Sequence, residues 1–326
     1  MNKQRVTKLA EYVFTVWIIV TINFMLPRSM PGDPFLHLSA DEGEEITVFS
    51  EEQRKYYLAY YGLDRPAGEQ YLSYLSELLQ GNMGYSLYYN EPVSTIILRR
   101  LPWTAFLVTA AVALSTVIGA FLGSISAWYR GKWADKFLFF NLILLSEIPA
   151  FLLALILLFT LAAGLGLFPL SGAMTHFANY DSWLEKLWDI IHHVFLPTMA
   201  LTVTRLGSMY LLSRNSMITV LAKDYLRTAQ AKGLSRKRII FSHALRNSLL
   251  PIVTRVFLSL GSLVGGAILV ENVFAYPGLG HLMREAVMFH DYPLVQGIFL
   301  AVTVCVLTAN FLADLIYRKI DPRIAG

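Results

Sequence analysis

Residues 224–251 read DYLRTAQAKGLSRKRIIFSHALRNSLLP, a polar and basic run set between apolar segments. The chemistry open to it is docking. Asp224 can cap the start of a short helix, and Lys232 suits the negative end of that helix's dipole. Gly233 fits the left-handed position that ends a helix, and Ser235 can open the next one. Ala229 and Gly233 stand four apart, which puts two small residues on one helix face where a partner can approach closely. Two helices around a glycine hinge make a docking surface. A solvated basic loop is the plainer reading of the same charges.

Catalytic patterns are missing from the chain. It has no phosphate-cradling G-x-x-x-x-G-K-[ST] loop, so ATP hydrolysis by this chain itself is not expected. It has no H-E-x-x-H, no cysteine-rich metal site and no Gly-x-Ser-x-Gly. No catalytic residue, metal or bound cofactor is therefore expected. His192 and His193 are a candidate metal pair, but adjacent residues of a helix do not face each other. The acidic patch of Asp41, Glu42, Glu44, Glu45, Glu51 and Glu52 matches no calcium loop and reads as solvated charge or a docking rim. Cys305, the only cysteine, lies inside an apolar segment and reads as packing.

Charged groups at membrane depth are costly and usually face protein or water. Glu147, just before the kink-prone Ile148-Pro149, can line a translocation path and meet a substrate amine, or pair with Arg205 or Arg255. The ion pair is favoured, because an unpaired buried carboxylate tends to protonate. Gly261 and Gly265, with Gly266 adjacent, make a small-xxx-small face for close helix contact.

The elements that position these residues are apolar helices. The chain has 326 residues, 55% hydrophobic and 15% charged. Its mean hydropathy of +0.50 marks a polytopic membrane protein. Six stretches reach the roughly 20 residues a span needs: 9–27, 103–128, 137–163, 195–213, 251–272 and 294–317. Arg205 weakens the fourth. The first lacks a small-residue cleavage site before PRSMPGDP and reads as an uncleaved span. Lys and Arg gather at the start, in 129–136, in 214–250 and in the tail, which puts both termini in the cytoplasm. The net charge of +4 follows from this bias, and no basic-aromatic groove points to nucleic acid. The expected organisation is 1–27, a cytoplasmic N-terminus and first span; 28–102, an external subdomain with helices near 50–61 and 68–80; 103–317, the membrane core with its cytoplasmic loop 214–250; and 318–326, a cytoplasmic tail. In 164–194 an amphipathic run from Tyr180 to His193 is expected along the outer surface, with Trp183 and Trp188 at the interface. In 268–280, Pro277, Gly278 and Gly280 are expected to force a tight turn beside Phe274 and Tyr276.

The run DYLRTAQAKGLS followed by HALRNSLLP resembles the coupling loop of ABC importer permeases. More narrowly, it resembles the B-type subunit of the oligopeptide/dipeptide/nickel permease family. Many ABC permeases carry a proline thirteen residues after the loop glycine; here Arg246 stands there and Pro251 comes later, as in the peptide/nickel branch. PGDP, GLDRP, RLPWT, ILVENVFAYPGLG and DLIYRKIDPR extend the likeness along most of the chain. The resemblance implies an all-α membrane protein with six spans, the type I ABC importer permease fold and a small external subdomain after the first helix. It implies an inner (plasma) membrane location in a bacterium or archaeon. The partners it implies are a homologous second permease, two ABC ATPase subunits that hold ATP and Mg, an external substrate-binding protein and membrane lipid. It implies that Asp224, Tyr225, Thr228, Ala229, Ala231, Lys232, Gly233, Leu234 and Ser235 couple the chain to the ATPases. Glu147, Arg205, Phe274, Tyr276 and Pro277 are the candidate path or gate. Short peptides moved by alternating access are the implied cargo. A nickel or metal-chelate importer, and an ATPase-independent secondary transporter, are the alternatives.

Overall fold

The computed structural model describes residues 3–29, 52, 55, 64–233, 235 and 245–320. The acidic residues 41–51, most of the helix expected near 50–61, Leu234 and the tail from 321 lie outside them. The chain runs through α1 (Lys3–Arg28), α2 (Ala67–Leu79), α3 (Val93–Trp128), α4 (Trp133–Ser146) and α5 (Ala150–Leu157), which continues as a π-helical segment (Leu158–Gly164). It goes on through α6 (Trp183–Leu221), α7 (Asp224–Ala231), α8 (Leu245–Ser248), α9 (Leu250–Val273), α10 (Leu279–Met288) and α11 (Tyr292–Ile320). Among the described residues there is no strand, only an isolated antiparallel bridge between Tyr85 and Pro92.

Among the described residues, two helices are long and apolar enough to cross a membrane unaided, α3 and the Tyr292–Ala313 part of α11. Two bent pairs reach the same apolar length. The segment expected as one span over 137–163 is two helices, Trp133–Ser146 and Ala150–Gly164, bent by 94°. Pro149 is the cause: it has no N–H to donate, and its ring drives Ile148 out of the helical region. Pro251–Leu260 and Gly265–Val273 form the second pair, bent by 59°. The amphipathic run from Tyr180 and the weak fourth span are not separate. They merge into α6, a 39-residue helix with Pro197 inside it. Ser182 caps α6 by accepting from the Glu185 amide, while Glu185 reaches back to the Asp181 amide, a variant of the capping box.

Contacts divide the chain into two units, Met1–Pro102 with His281–Val304, and Trp103–Gly280 with Cys305–Gly326. In the first unit, α2 leans on α1 through Tyr71, which stands edge-on to Phe24 and shares a 2.7 Å hydrogen bond with Thr21. The leucines of α2 do not form a core; Leu72 and Leu79 are 67% and 90% exposed. The GNMGYSLYYNEPV stretch is a loop stitched to the α10–α11 corner. Asp291, fully buried, accepts from the Ser86 hydroxyl and from the Tyr88 and Leu294 amides. Burial pushes its carboxyl above the usual range despite those donors. Tyr88 stacks on Phe289 at 3.9 Å, and Tyr89 donates to Glu285 at 2.8 Å.

The second unit is built on α6. Its Leu196, Ala200 and Leu201 pack with Leu107 and Ala111 of α3, Ala154 of α5, and Ala267 and Val270 of α9. The close crossing of α3 and α6 depends on Gly119 and Gly123. A Cβ on either would come within 2.7 Å of Met209 Cβ or 2.6 Å of the Tyr210 carbonyl. By contrast, Gly265 and Gly266 of the expected small-residue face meet nothing of this chain within 4 Å.

Near this crossing, four buried or half-buried polar groups satisfy one another. Asp135 accepts from Arg214 through two bonds of 2.8 and 2.9 Å, from Ser126 and from the Gly131 amide. Ser126 also bonds the Tyr210 hydroxyl at 2.6 Å. Asp135→Asn is expected to strand the Arg214 guanidinium and cost about 3 kcal/mol, lowering the apparent Tm of the purified protein by roughly 5–10 °C. The Asp135→Asn/Arg214→Gln double variant should recover much of that loss in a thermal melt. Additive losses would deny the pair.

Candidate functional site

The coupling segment predicted from sequence is α7, eight residues from Asp224 to Ala231. Asp224 lies in its first turn, where an acid complements the helix dipole. The Lys232 amide closes on the Thr228 carbonyl at 3.0 Å, and Gly233 follows with φ +73°. Gly233 does not share a helix face with Ala229, because the helix stops at Ala231. A Cβ on Gly233 would meet nothing within 4 Å. Its requirement is the left-handed backbone, not close approach.

One side chain missed by sequence reasoning anchors α7. Leu226, 2% exposed, packs against Ala127 at the end of α3 and Met217 near the end of α6. Tyr225, Thr228, Ala231, Lys232 and Ser235 stand exposed around it. The Tyr225 hydroxyl accepts from Asn247 at 2.9 Å, and Ser216 of α6 donates to the Ser248 carbonyl at 2.8 Å. The signal available in the sequence was a single leucine in a polar helix.

The turn after α9 is organised by another residue that sequence reasoning missed. Glu271 is fully buried and takes the Thr104 hydroxyl at 2.7 Å on one oxygen and the Gly280 amide at 2.6 Å on the other. Thr104 in turn accepts from the Leu279 amide at 2.8 Å. Gly278 and Gly280 were expected to force the turn by backbone freedom. Instead the left-handed residue is Ala275, with φ +43°. The two glycines serve space: a Cβ on Gly278 would overlap the Glu271 carboxylate, and one on Gly280 would overlap Ile268. Phe274 and Tyr276 are packed into the core, 2% and 0% exposed, and Trp103 stands edge-on to Tyr276. Pro277 is half-buried beside them.

The expected ion pair of Glu147 does not form. Among the described residues, no carboxylate lies within 4.0 Å of Arg205 or Arg255. The Pro149 break leaves Glu147 as the exposed C-cap of α4, its amide bonded to the Ile143 and Leu144 carbonyls. Arg205 is half-buried, with Arg255 as its charged neighbour. The two histidines do not converge either: His192 bonds the Leu167 carbonyl and His193 the Asp189 carbonyl. No group of three His, Cys, Asp or Glu side chains able to hold a metal occurs among the described residues.

Residues 115–326 match the family described as "Binding-protein-dependent transport system inner membrane component". The chain belongs to that family. It is 34% identical over 307 residues to the oligopeptide transport system permease protein AppB of Bacillus subtilis, covering 94% of each chain. It is 34% identical over 330 residues to the di/tripeptide permease DppB of Pseudomonas aeruginosa, covering 97% of each, and 33% identical over 322 residues to the dipeptide permease DppB of Escherichia coli, covering 94% of each. Among solved structures, the MetNI methionine ABC transporter in inward facing conformations shares the fold at TM-score 0.55 and 15% identity, over 70% of this chain and 97% of that one. An amino acid ABC transporter solved with histidines does so at 0.52 and 13%, over 69% and 94%. Family, fold and apolar helices together make this a multi-pass membrane permease with the type I ABC importer architecture.

Glu271→Ala removes the acceptor for two buried donors and is expected to cost about 3 kcal/mol, with Glu271→Gln losing less. Gly278→Ala should destabilise as well, through overlap with the carboxylate. Thermal melts of the purified variants check the ranking, and an unchanged Tm for Glu271→Ala would refute the assignment.

Proposed function

We propose that this chain is a permease subunit of an ATP-driven importer and forms part of the translocation path for short peptides. The observation that carries the reading is α7: a short helix with exposed polar side chains, ended by a left-handed glycine and keyed through Leu226 onto the ends of α3 and α6. Such a helix can take a push from a docked subunit and pass it to two long helices. The names of the relatives supply the cargo class. Partner ATPase subunits hold ATP and Mg, and this chain docks them through Asp224, Tyr225, Thr228, Ala229, Ala231, Lys232, Gly233, Leu234 and Ser235. A homologous second permease completes the path, and an external binding protein delivers the peptide. Both termini lie in the cytoplasm, and 28–102 lies outside.

In this mechanism, closure of the ATPase pair shifts α7 and rocks α3 and α6, and the path alternates between outward and inward access. Phe274, Tyr276 and Pro277 form the outer gate, held by Glu271. Glu147 offers a carboxylate to the peptide amine, and Arg205 with Arg255 offers cations to its carboxylate. The missing internal ion pair leaves both charges available to cargo.

The test is ATP hydrolysis by the full complex in liposomes, with its binding protein and either short peptides or a nickel chelate. Stimulation by peptides is the expected result, and stimulation by the chelate alone would overturn the cargo assignment. Gly233→Val places a β-branched residue at positive φ, at a cost of about 1–2 kcal/mol. It should leave the complex assembled but cut peptide-stimulated hydrolysis roughly tenfold. Leu226→Ala, which empties the contact with Ala127 and Met217, should do the same. Full stimulation in both variants would refute the docking role of α7.

A further inference from the structure

The first unit contains a cation and a buried amide that no feature described so far employs. At the end of α1, the Arg28 guanidinium lies over the Phe24 ring at 3.6 Å. Its Nε and Nη2 donate to Gln70 Oε1 at 3.0 and 2.8 Å, and its Nη1 donates to the Phe24 carbonyl at 3.0 Å. A guanidinium has five N–H donors. These bonds leave one hydrogen on each terminal nitrogen, which is what a single carboxylate takes from an arginine. Among the described residues, no carboxylate lies within 4.0 Å of Arg28.

Arg28 lines a cavity of about 560 Å³ together with Gln70, Tyr74, Glu77 and Gln296. That volume lies within the range of small-molecule sites. Gln296 is only 8% exposed, and its side-chain Nε2 has no hydrogen-bond partner, although its backbone carbonyl accepts from the Asn23 side-chain amide at 2.8 Å. A buried amide donor left unpaired is costly and calls for an acceptor. Glu77 lines the same cavity, where it accepts from Ser73 at 3.2 Å. Arg28 and Glu77 thus share one space without meeting. The exposed Arg65 lines it as well, and opposite charges that do not pair within one polar cavity suit a ligand that carries both.

We propose that this cavity binds a small zwitterion with an α-carboxylate and an α-amine, the carboxylate on Arg28 and Gln296 and the amine toward Glu77. Neither Glu147 nor Arg205 lines it. It would hold ligand on the face assigned to the outside. That peptides are the zwitterions to test rests on the function proposed above; the chemistry of the cavity does not.

The experiment is equilibrium binding to the assembled permease–ATPase complex in nanodiscs, without the external binding protein. The probes are trialanine, its C-terminal amide, its N-acetyl form and free alanine. Wild type should bind trialanine saturably, and the amide roughly tenfold or more weakly. Arg28→Gln should lose the same factor, with Arg28→Lys losing less. Glu77→Gln, an exposed change that leaves the packing untouched, should weaken trialanine but not N-acetyl-trialanine. Arg28-dependent binding of alanine with no response to trialanine would uphold the site and count against peptides as cargo. Absence of binding by every probe would overturn the proposal, as would equal binding by wild type, Arg28→Gln and Glu77→Gln.

Discussion

The Glu271 carboxylate, withdrawn completely from solvent, has to be satisfied from within the protein, and the arrangement of the turn around it follows from that need. Thr104 reaches it from α3, Gly280 from the start of α10, and its own backbone carbonyl takes the Tyr276 amide at 2.8 Å. A carboxylate so placed permits no side chain at Gly278, and the left-handed position of the turn falls at Ala275. The aromatic residues Phe274 and Tyr276 are then directed into the core. Removing any of these donors leaves charge or polarity unpaired in a low-dielectric interior, which is why the turn has one geometry.

A second carboxylate does comparable work among α3, α4 and α6. Asp135 gathers Ser126, Arg214 and the Gly131 amide into one network, with Tyr210 bonded through Ser126. Leu226 packs beside Ala127, the neighbour of Ser126, so α7 rests against helix ends that are already locked together. Displacement of α7 would therefore move α3 and α6 as one body. The long α6 continues from there to the core around Leu196 and Ala200, where Tyr276 is also packed.

The first unit follows another logic. Its elements bury little of α2 and rely on polar stitching, with Asp291 bonded to Ser86 and to two backbone amides, and Tyr89 to Glu285. A region held by directional bonds around a polar cavity keeps its shape without a large apolar core. That is a suitable frame for the spare donors of Arg28 and Gln296.

Membrane class, helical architecture, family and a short helix opening at Asp224 were legible in the sequence, because hydropathy and motif order are local properties of the chain. Gly233 ends its helix as its residue type required, since only glycine adopts positive φ without strain. Tertiary structure decided the rest. Glu271 looked like an ordinary helix-terminal acid, and only the fold brings Thr104, 167 residues away, to its oxygen. Leu226 was one leucine among polar neighbours until α3 and α6 met over it. Glu147, Arg205 and Arg255 looked like ion-pair partners by charge and depth, but Glu147 is the exposed C-cap before the bend at Pro149 and pairs with neither arginine. Sequence patterns report the period and polarity of single elements. Which side chains meet across elements depends on bend angles and close crossings, and those are set by the packing of the whole chain.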